Sequence, residues 1–374
     1  MNNRKSILVF IDWYLPGFMA GGPIRSLANL VNRLPYNFFI VTSAFDHYAT
    51  KPYDLPTGEW ITRNENEHVM YLLPGELTKA KFDSILAFRE FDRFYINSLF
   101  SVSFALNPMR WLKKAGLAEK VVLAPRGMLK PGALSIKPLK KKIFLALAKA
   151  VGLFANITWH ATGMDEELEI KQHFKNARIK TAQNLSRPAK PRINPVEKSI
   201  NQLKLITVAR VSQEKNLLGA AEYLKNIAGD VQWDVYGTIQ DQAYLEQCKA
   251  TLDTSTVKVQ FKGEVNPSAL PALFEEYHFF YLMTLGENFG HAIAESLISG
   301  LPVIISDRTP WRNLEAEKAG WDLPLTLSDV QQVLTLAAEM DQKTYAVWCQ
   351  GALNLGSTVA NDSTAYNHSI ALFI

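Results

Sequence analysis

The chain has 374 residues, too many for one ordinary domain and enough for two. With 48% hydrophobic and 20% charged residues it reads as well-cored and globular, which excludes long disorder. Forty lysines and arginines against 36 acids leave a formal charge of +4, far from the basic balance of a nucleic-acid binder but compatible with an anionic ligand or membrane surface. Cys248 and Cys349 lack metal-ligand or redox spacing, which favours a reducing compartment.

The N-terminal MNNRKSILVFIDWYLP is basic and then apolar, but the apolar run stops at Asp12 and no small-residue cleavage site follows. It reads as a buried first strand. NFFIVTS, HVMYLL and KVVLAP follow as further strands, with helical periodicity in GPIRSLANLVNRL between them. Alternating strands and helices imply parallel sheets whose strands are covered on both faces. Gly21 and Gly22 precede Pro23 in a glycine turn that opens a helix after the first strand; this suits a close approach of backbone to ligand and equally a plain tight turn.

The apolar tract Ile143–Ile157 is about five residues short of a membrane span and contains Lys149. KPLKKKIFLALAKAV, Lys137–Val151, places a basic cluster before an amphipathic stretch, and reads equally as a peripheral contact with anionic lipid or as the solvated face of a core helix. The expected location is cytoplasmic, with a peripheral position on the inner membrane face left open. His160, in the strand-like ITWHAT, reads as a structural histidine rather than a base. Trp13 and Tyr14 read as core or as a platform for a sugar.

Residues 186–202, SRPAKPRINPVEKSINQ, carry three prolines and no apolar periodicity. They read as a linker between a first domain, 1–185, and a second, 203–355. Residues 356–374 are expected to form a helix that packs back on the first domain. LKLITVAR, VQWDVYG, VKVQFKG, HFFYLM and PVIISD are the strands of the second half. Two such sheets point to a ligand at their carboxyl edges, between the domains.

The most informative stretch is HFFYLMTLGENFGHAIAESLISGLPVIISD, 278–307. A strand leads into a loop with Gly286 and Gly290, and a helix starts near Gly290 and is stopped by Gly300. The free amides at that helix start suit a phosphate or a polarised sugar hydroxyl. Were all of it helical, Glu287 and Glu295 would sit roughly 80° apart around the axis. Glu287 therefore belongs to the loop and Glu295 to the helix. Arg210 at a strand end and Lys215 at a helix head are cations suited to a pyrophosphate.

At these residues the sequence resembles family 4 of the retaining glycosyltransferases, which have the GT-B fold: two Rossmann-like α/β domains with parallel sheets facing a central cleft. Glu287 to Glu295 is similar to that family's Glu-x7-Glu motif, Arg210 and Lys215 to its phosphate-binding pair, and Gly21-Gly22 to its glycine loop. APRGML, 124–129, is similar to a segment of bacterial surface-polysaccharide transferases, and HATGMDEELEI, 160–170, resembles the closing portion of the family's first domain.

The resemblance implies that Glu287, Arg210 and Lys215 are catalytic, with the two cations stabilising the diphosphate leaving group. It also implies that Asn288, Phe289 and Gly290 hold the donor sugar, Glu295 the ribose, and that Glu264 borders the base pocket. Arg126 stands where many relatives carry a histidine, and takes an anionic acceptor on this reading. The implied partners are a nucleotide sugar and a glycan or lipid-linked acceptor, with no nucleic acid. No cofactor and no metal are implied, and no Asp-x-Asp motif occurs. The alternatives are a non-catalytic nucleotide-sugar sensor or partner subunit, and an epimerase on the same fold.

Overall fold

In the computed structural model, residues 4–135, 138–188, 196–253 and 255–374 are described. The chain forms two compact units, Met1–Leu185 with Ser363–Ile374, and Ser186–Asp362. The central part of the expected linker, 189–195, and Lys137 lie outside the described residues.

The first unit holds β1 (Ser6–Phe10), β2 (Asn37–Ser43), β3 (Trp60–Asn64), β4 (Glu67–Leu72), β5 (Arg93–Ile96), β6 (Val121–Leu123), β7 (Thr158–Ala161) and β8 (Arg178–Thr181). Their order is β3-β4-β2-β1-β5-β6-β7-β8. All neighbours are parallel except the β3/β4 hairpin, where Trp60 stands opposite Met70. Every residue of β1 is buried, as a central strand covered by helices on both faces requires. β3, β5 and β8 escape the sequence reading because they are short and carry arginine, lysine or asparagine at their ends, which masks the apolar run.

The second unit is a six-stranded, all-parallel sheet of β9 (Gln202–Val208), β10 (Asp230–Tyr236), β11 (Lys258–Gly263), β12 (Phe279–Leu282), β13 (Val303–Ser306) and β14 (Gly320–Leu323), in the order β11-β10-β9-β12-β13-β14. β14 is the strand here that periodicity misses; GWDL has too little apolar content to stand out. Trp233, Phe279, Tyr281, Trp321 and Tyr345 pack one face of the sheet, and Phe274, Phe280, Ile293 and Leu297 the other. Burying a side chain of this size contributes about 1.5–3 kcal/mol.

The helix Gln342–Ala360 stays with the second unit. The junction expected at 355/356 falls inside this helix, because Leu355 and Val359 pack in the β12/β13 core and hold it there. The chain changes unit after Asp362, and the last helix, Ser363–Ala371, brings Phe373 among Tyr36, Phe38 and Tyr95 of the first unit. Lys5 and Lys180 donate to the carbonyls of Phe373 and Ala371, satisfying orphan acceptors at that helix end.

Candidate functional site at the β9/β12 switch point

In the second sheet β9 and β12 are neighbours, and the chain runs on from β9 to β10 on one side and from β12 to β13 on the other, so the connections leave this pair in opposite directions. Such a reversal opens a crevice beyond the carboxyl ends of the two strands. The loops after β9, β12 and β13 meet there. Gly237, just past β10, has φ +155°, and a Cβ on it would fall 1.9 Å from the carbonyl oxygen of Ala209. Only glycine lets the backbone pass this close to the loop that carries Arg210.

The β9 and β12 loops are zipped together by hydrogen bonds to backbone carbonyls. The Leu285 amide and the Thr284 hydroxyl both donate to the carbonyl of Glu214, at 2.9 and 3.0 Å. Asn216, with φ +52°, caps the helix Leu217–Leu224, and its Nδ2 donates to the carbonyl of Met283 at 2.9 Å. The β13 loop closes the group. The Glu287 amide donates to the carbonyl of Arg308 (3.0 Å), Ser306 Oγ to that of Thr284 (2.6 Å), and Trp311 Nε1 to that of Phe289 (2.6 Å).

Within this frame Lys215, at the end of the 3₁₀ turn Gln213–Lys215, is buried, and its ammonium donates to Glu287 Oε2 at 2.9 Å. Glu287 Oε1 accepts from the Asn288 amide at 3.1 Å. Gly290, with φ +76°, is the N-cap of the helix His291–Ile298, and no side chain caps that end. A Cβ on Gly290 would stand 2.8 Å from Ile293 Cδ1 and 3.2 Å from Glu287 Cγ, so glycine here holds the glutamate loop tight against its helix. The result is an ammonium, a carboxylate and an uncapped helix N-terminus on one loop cluster. That combination seats an anion and orients hydroxyl groups beside it.

Lys215, Glu287, Asn288, Phe289 and Gly290 are thus brought together, with Glu295 buried farther along the same helix. Arg210 is at the rim of the group, its side chain 44% exposed and 3.6 Å from Glu214. Glu264 is exposed in the loop that follows edge strand β11. Gly21 and Gly22 belong to the other unit, where Gly21 (φ +71°) is the N-cap of the helix Gly22–Arg33. Among the described residues no group of three His, Cys, Asp or Glu side chains could hold a metal ion. Cys248 and Cys349 are both buried.

Arg126 is in the first unit, at φ +55°. Its guanidinium donates to Asn97 Oδ1 (2.9 Å), Asn184 Oδ1 (2.8 Å) and the Tyr95 hydroxyl (2.9 Å), which ties the loops after β5, β6 and β8 together. Tyr95 in turn meets His160 Nδ1 at 2.7 Å, and His160 Nε2 lies 2.9 Å from the Ala182 carbonyl. Burial first, and the charge of Arg126 second, push the His160 pKa down to about 3. The ring is therefore a neutral structural link rather than a base.

The sequence reading misses four parts of this scaffold. Thr284, Ser306 and Trp311 brace the Glu287 loop through backbone carbonyls, a role with no composition signal. Glu166, buried, accepts from the Gly127 amide (2.6 Å) and the Thr162 amide (2.8 Å), and so joins APRGML to HATGMDEELEI. That carboxylate is the physical reason the two segments go together.

The comparisons with known proteins bear on the second unit directly. Residues 190–321 match the family model for glycosyl transferases group 1. This group 1 segment runs from ahead of β9 into β14 and contains the whole loop cluster. Over the full chain the fold is GT-B. Sucrose-phosphate synthase from Thermosynechococcus elongatus superposes with TM-score 0.71 at 12% identity, covering 99% of this chain and 98% of that one. HepE from Anabaena, in complex with UDP and glucose, gives 0.64 at 16% identity, with 98% of both chains covered. WaaG, a glycosyltransferase involved in lipopolysaccharide biosynthesis, gives 0.60 at 12%, again over 98% of both. No curated protein matches the sequence. Among the described residues no helix is long and apolar enough to cross a membrane.

Proposed function

We propose that the protein is a retaining, metal-independent glycosyltransferase. It moves a sugar from a UDP- or GDP-sugar to a glycan or glycolipid acceptor in surface polysaccharide or lipopolysaccharide assembly, at the cytoplasmic side of the membrane. The observation that carries this reading is the Lys215–Glu287 pair beside the uncapped helix at Gly290. The group 1 match over the same residues supports it, as does the likeness in fold to a protein solved with UDP and glucose.

Breaking the donor's glycosidic bond leaves negative charge on the diphosphate and positive character on the sugar. Lys215 and the helix-end amides would meet the first, and the fixed dipoles need no reorganisation as the charge develops. Arg210, at the rim, would close over the diphosphate. Glu287 and the Asn288–Gly290 backbone would orient the sugar hydroxyls, and Glu295 the ribose, with Glu264 near the base. The attacking acceptor hydroxyl would approach the same face, giving up its proton to the leaving phosphate.

A thermal-shift panel of UDP, GDP, ADP and their sugars tests the binding half, since a ligand that prefers the folded state raises its melting temperature. Uridine or guanosine diphosphate sugars should stabilise the wild type, and Lys215→Ala should abolish the shift. Full transfer activity in folded Lys215→Ala and Glu287→Ala would reject the assignment.

A further inference from the structure

The helix Pro138–Ala150, in the first unit, buries Leu145 and Ala148 and lays Phe144 against Phe100 and Phe154. Its outer face is not polar. Leu139, Ile143, Leu147 and Val151, spaced four residues apart, are 70, 51, 60 and 68% exposed. An ordinary surface helix puts charged groups there. Four large aliphatic side chains held in water at helical spacing form a continuous apolar stripe along the outside of the molecule.

The charged side chains of this helix have one sign. Lys140 and Lys142 are exposed beside the stripe, and Lys149 is drawn over the Phe174 ring at its flank. Lys113, from the neighbouring helix Asn107–Lys114, caps the C-terminal end by donating to the Val151 carbonyl at 3.0 Å. Across residues 93–164 the sequence has twelve lysines and arginines and a single acid, Glu119, although the whole chain is only +4. The rest of the protein is therefore net negative, and the positive charge is concentrated on the segment that carries the stripe.

We infer that this face docks on an anionic lipid bilayer, with the aliphatic stripe inserted at the acyl boundary and the lysines among the headgroups. An interfacial helix has this division of labour: apolar area supplies depth and lysines supply attraction to negative lipid. The sign of the charge selects the occupant. A second copy of the chain would set lysines against lysines across an isologous contact, whereas phosphatidylglycerol headgroups neutralise them. The surface is in the other unit from the Lys215–Glu287 group, so docking and donor binding are measured separately, and either can fail without the other.

The experiment is co-sedimentation of the full chain with vesicles of pure phosphatidylcholine and of phosphatidylcholine with an equal part of phosphatidylglycerol, at low and high salt. The wild type should bind the anionic vesicles, weakly or not at all the neutral ones, and less in high salt. Ile143→Glu/Leu147→Glu should lose about tenfold or more in vesicle affinity, from the apolar area no longer inserted. Lys140→Ala/Lys142→Ala should lose about fivefold per lysine. Both pairs are exposed, and unchanged melting temperatures would show that the variants fold; Ile143→Ser/Leu147→Ser serves if the glutamates do not. Equal binding to neutral and anionic vesicles, or undiminished binding by a folded stripe variant, would overturn the inference. So would wild-type protein that ignores vesicles and sediments as a dimer that Ile143→Glu/Leu147→Glu dissociates.

Discussion

Lys215 Nζ and Glu287 Oε2, 72 residues apart in the chain, stand 2.9 Å from each other with side chains only 10% and 22% exposed. The pair does two things: it joins the β9 loop to the β12 loop, and it keeps an ammonium poised at a helix N-terminus. Substitution separates the two. Lys215→Met should lower stability by about 1–3 kcal/mol, since it leaves a largely buried carboxylate without its cation. In Lys215→Met/Glu287→Gln the buried charge is gone, and much of that loss should be recovered while sugar transfer stays at least about a hundredfold down. Chemical denaturation and turnover on the same three proteins give the answer. A double variant as active as the wild type would leave the pair as architecture alone.

Gly356 is in the middle of the helix Gln342–Ala360, where a Cβ would fall 2.4 Å from the backbone carbonyl of Leu297. The two helices cross with backbones almost touching, and the partner is the helix whose N-terminus is at Gly290. Gly356→Ala must push the helices apart, at a cost of about 1–3 kcal/mol. The displacement should also reach the Glu287 loop. The expected result is a lower melting temperature together with a weaker nucleotide-induced thermal shift, although residue 356 is not one of the loop-cluster residues.

His160 is held neutral inside the first unit, with its pKa pushed down to about 3 by burial and by Arg126. The unfolded chain takes up a proton near pH 6.5, which the folded chain refuses until about pH 3. The stability is therefore fully present above the unfolded value and falls with acid, by at most about 1.4 kcal/mol per pH unit from this group. His160→Gln should be less stable than wild type at pH 7.5, with the gap narrowing as the pH drops from 6.5 towards 4. Urea titrations across that range read it directly, and a constant gap would mean the ring is charged in the folded protein.

The site divides into what local pattern reveals and what it hides. The glutamate loop was legible because Gly286, Gly290 and Gly300 punctuate two strongly apolar strands, so the chain can do little else there. The sequence also places Glu287 in a loop and Glu295 on a helix, and both are found so. Thr284, Ser306 and Trp311 gave no such signal, because each works through side-chain hydrogen bonding to backbone carbonyls, a task many residues could perform. The resemblance assigns Arg126 to an anionic acceptor, while in the structure three of its donors are used inside the first unit, by residues up to 58 positions away.

Sequence alone determined the class of fold, since apolar runs too short for anything but buried strands alternate with helical periodicity, and local sterics and burial suffice to read them. It also determined which loops carry charge and glycine. The tertiary structure decided which of those loops meet. Strand order within a sheet is set by long-range packing, and only the placing of β12 beside β9 brings Lys215 to Glu287. It decided as well that the outer row of Pro138–Ala150 is apolar, because which side of an amphipathic helix is covered depends on what packs against it.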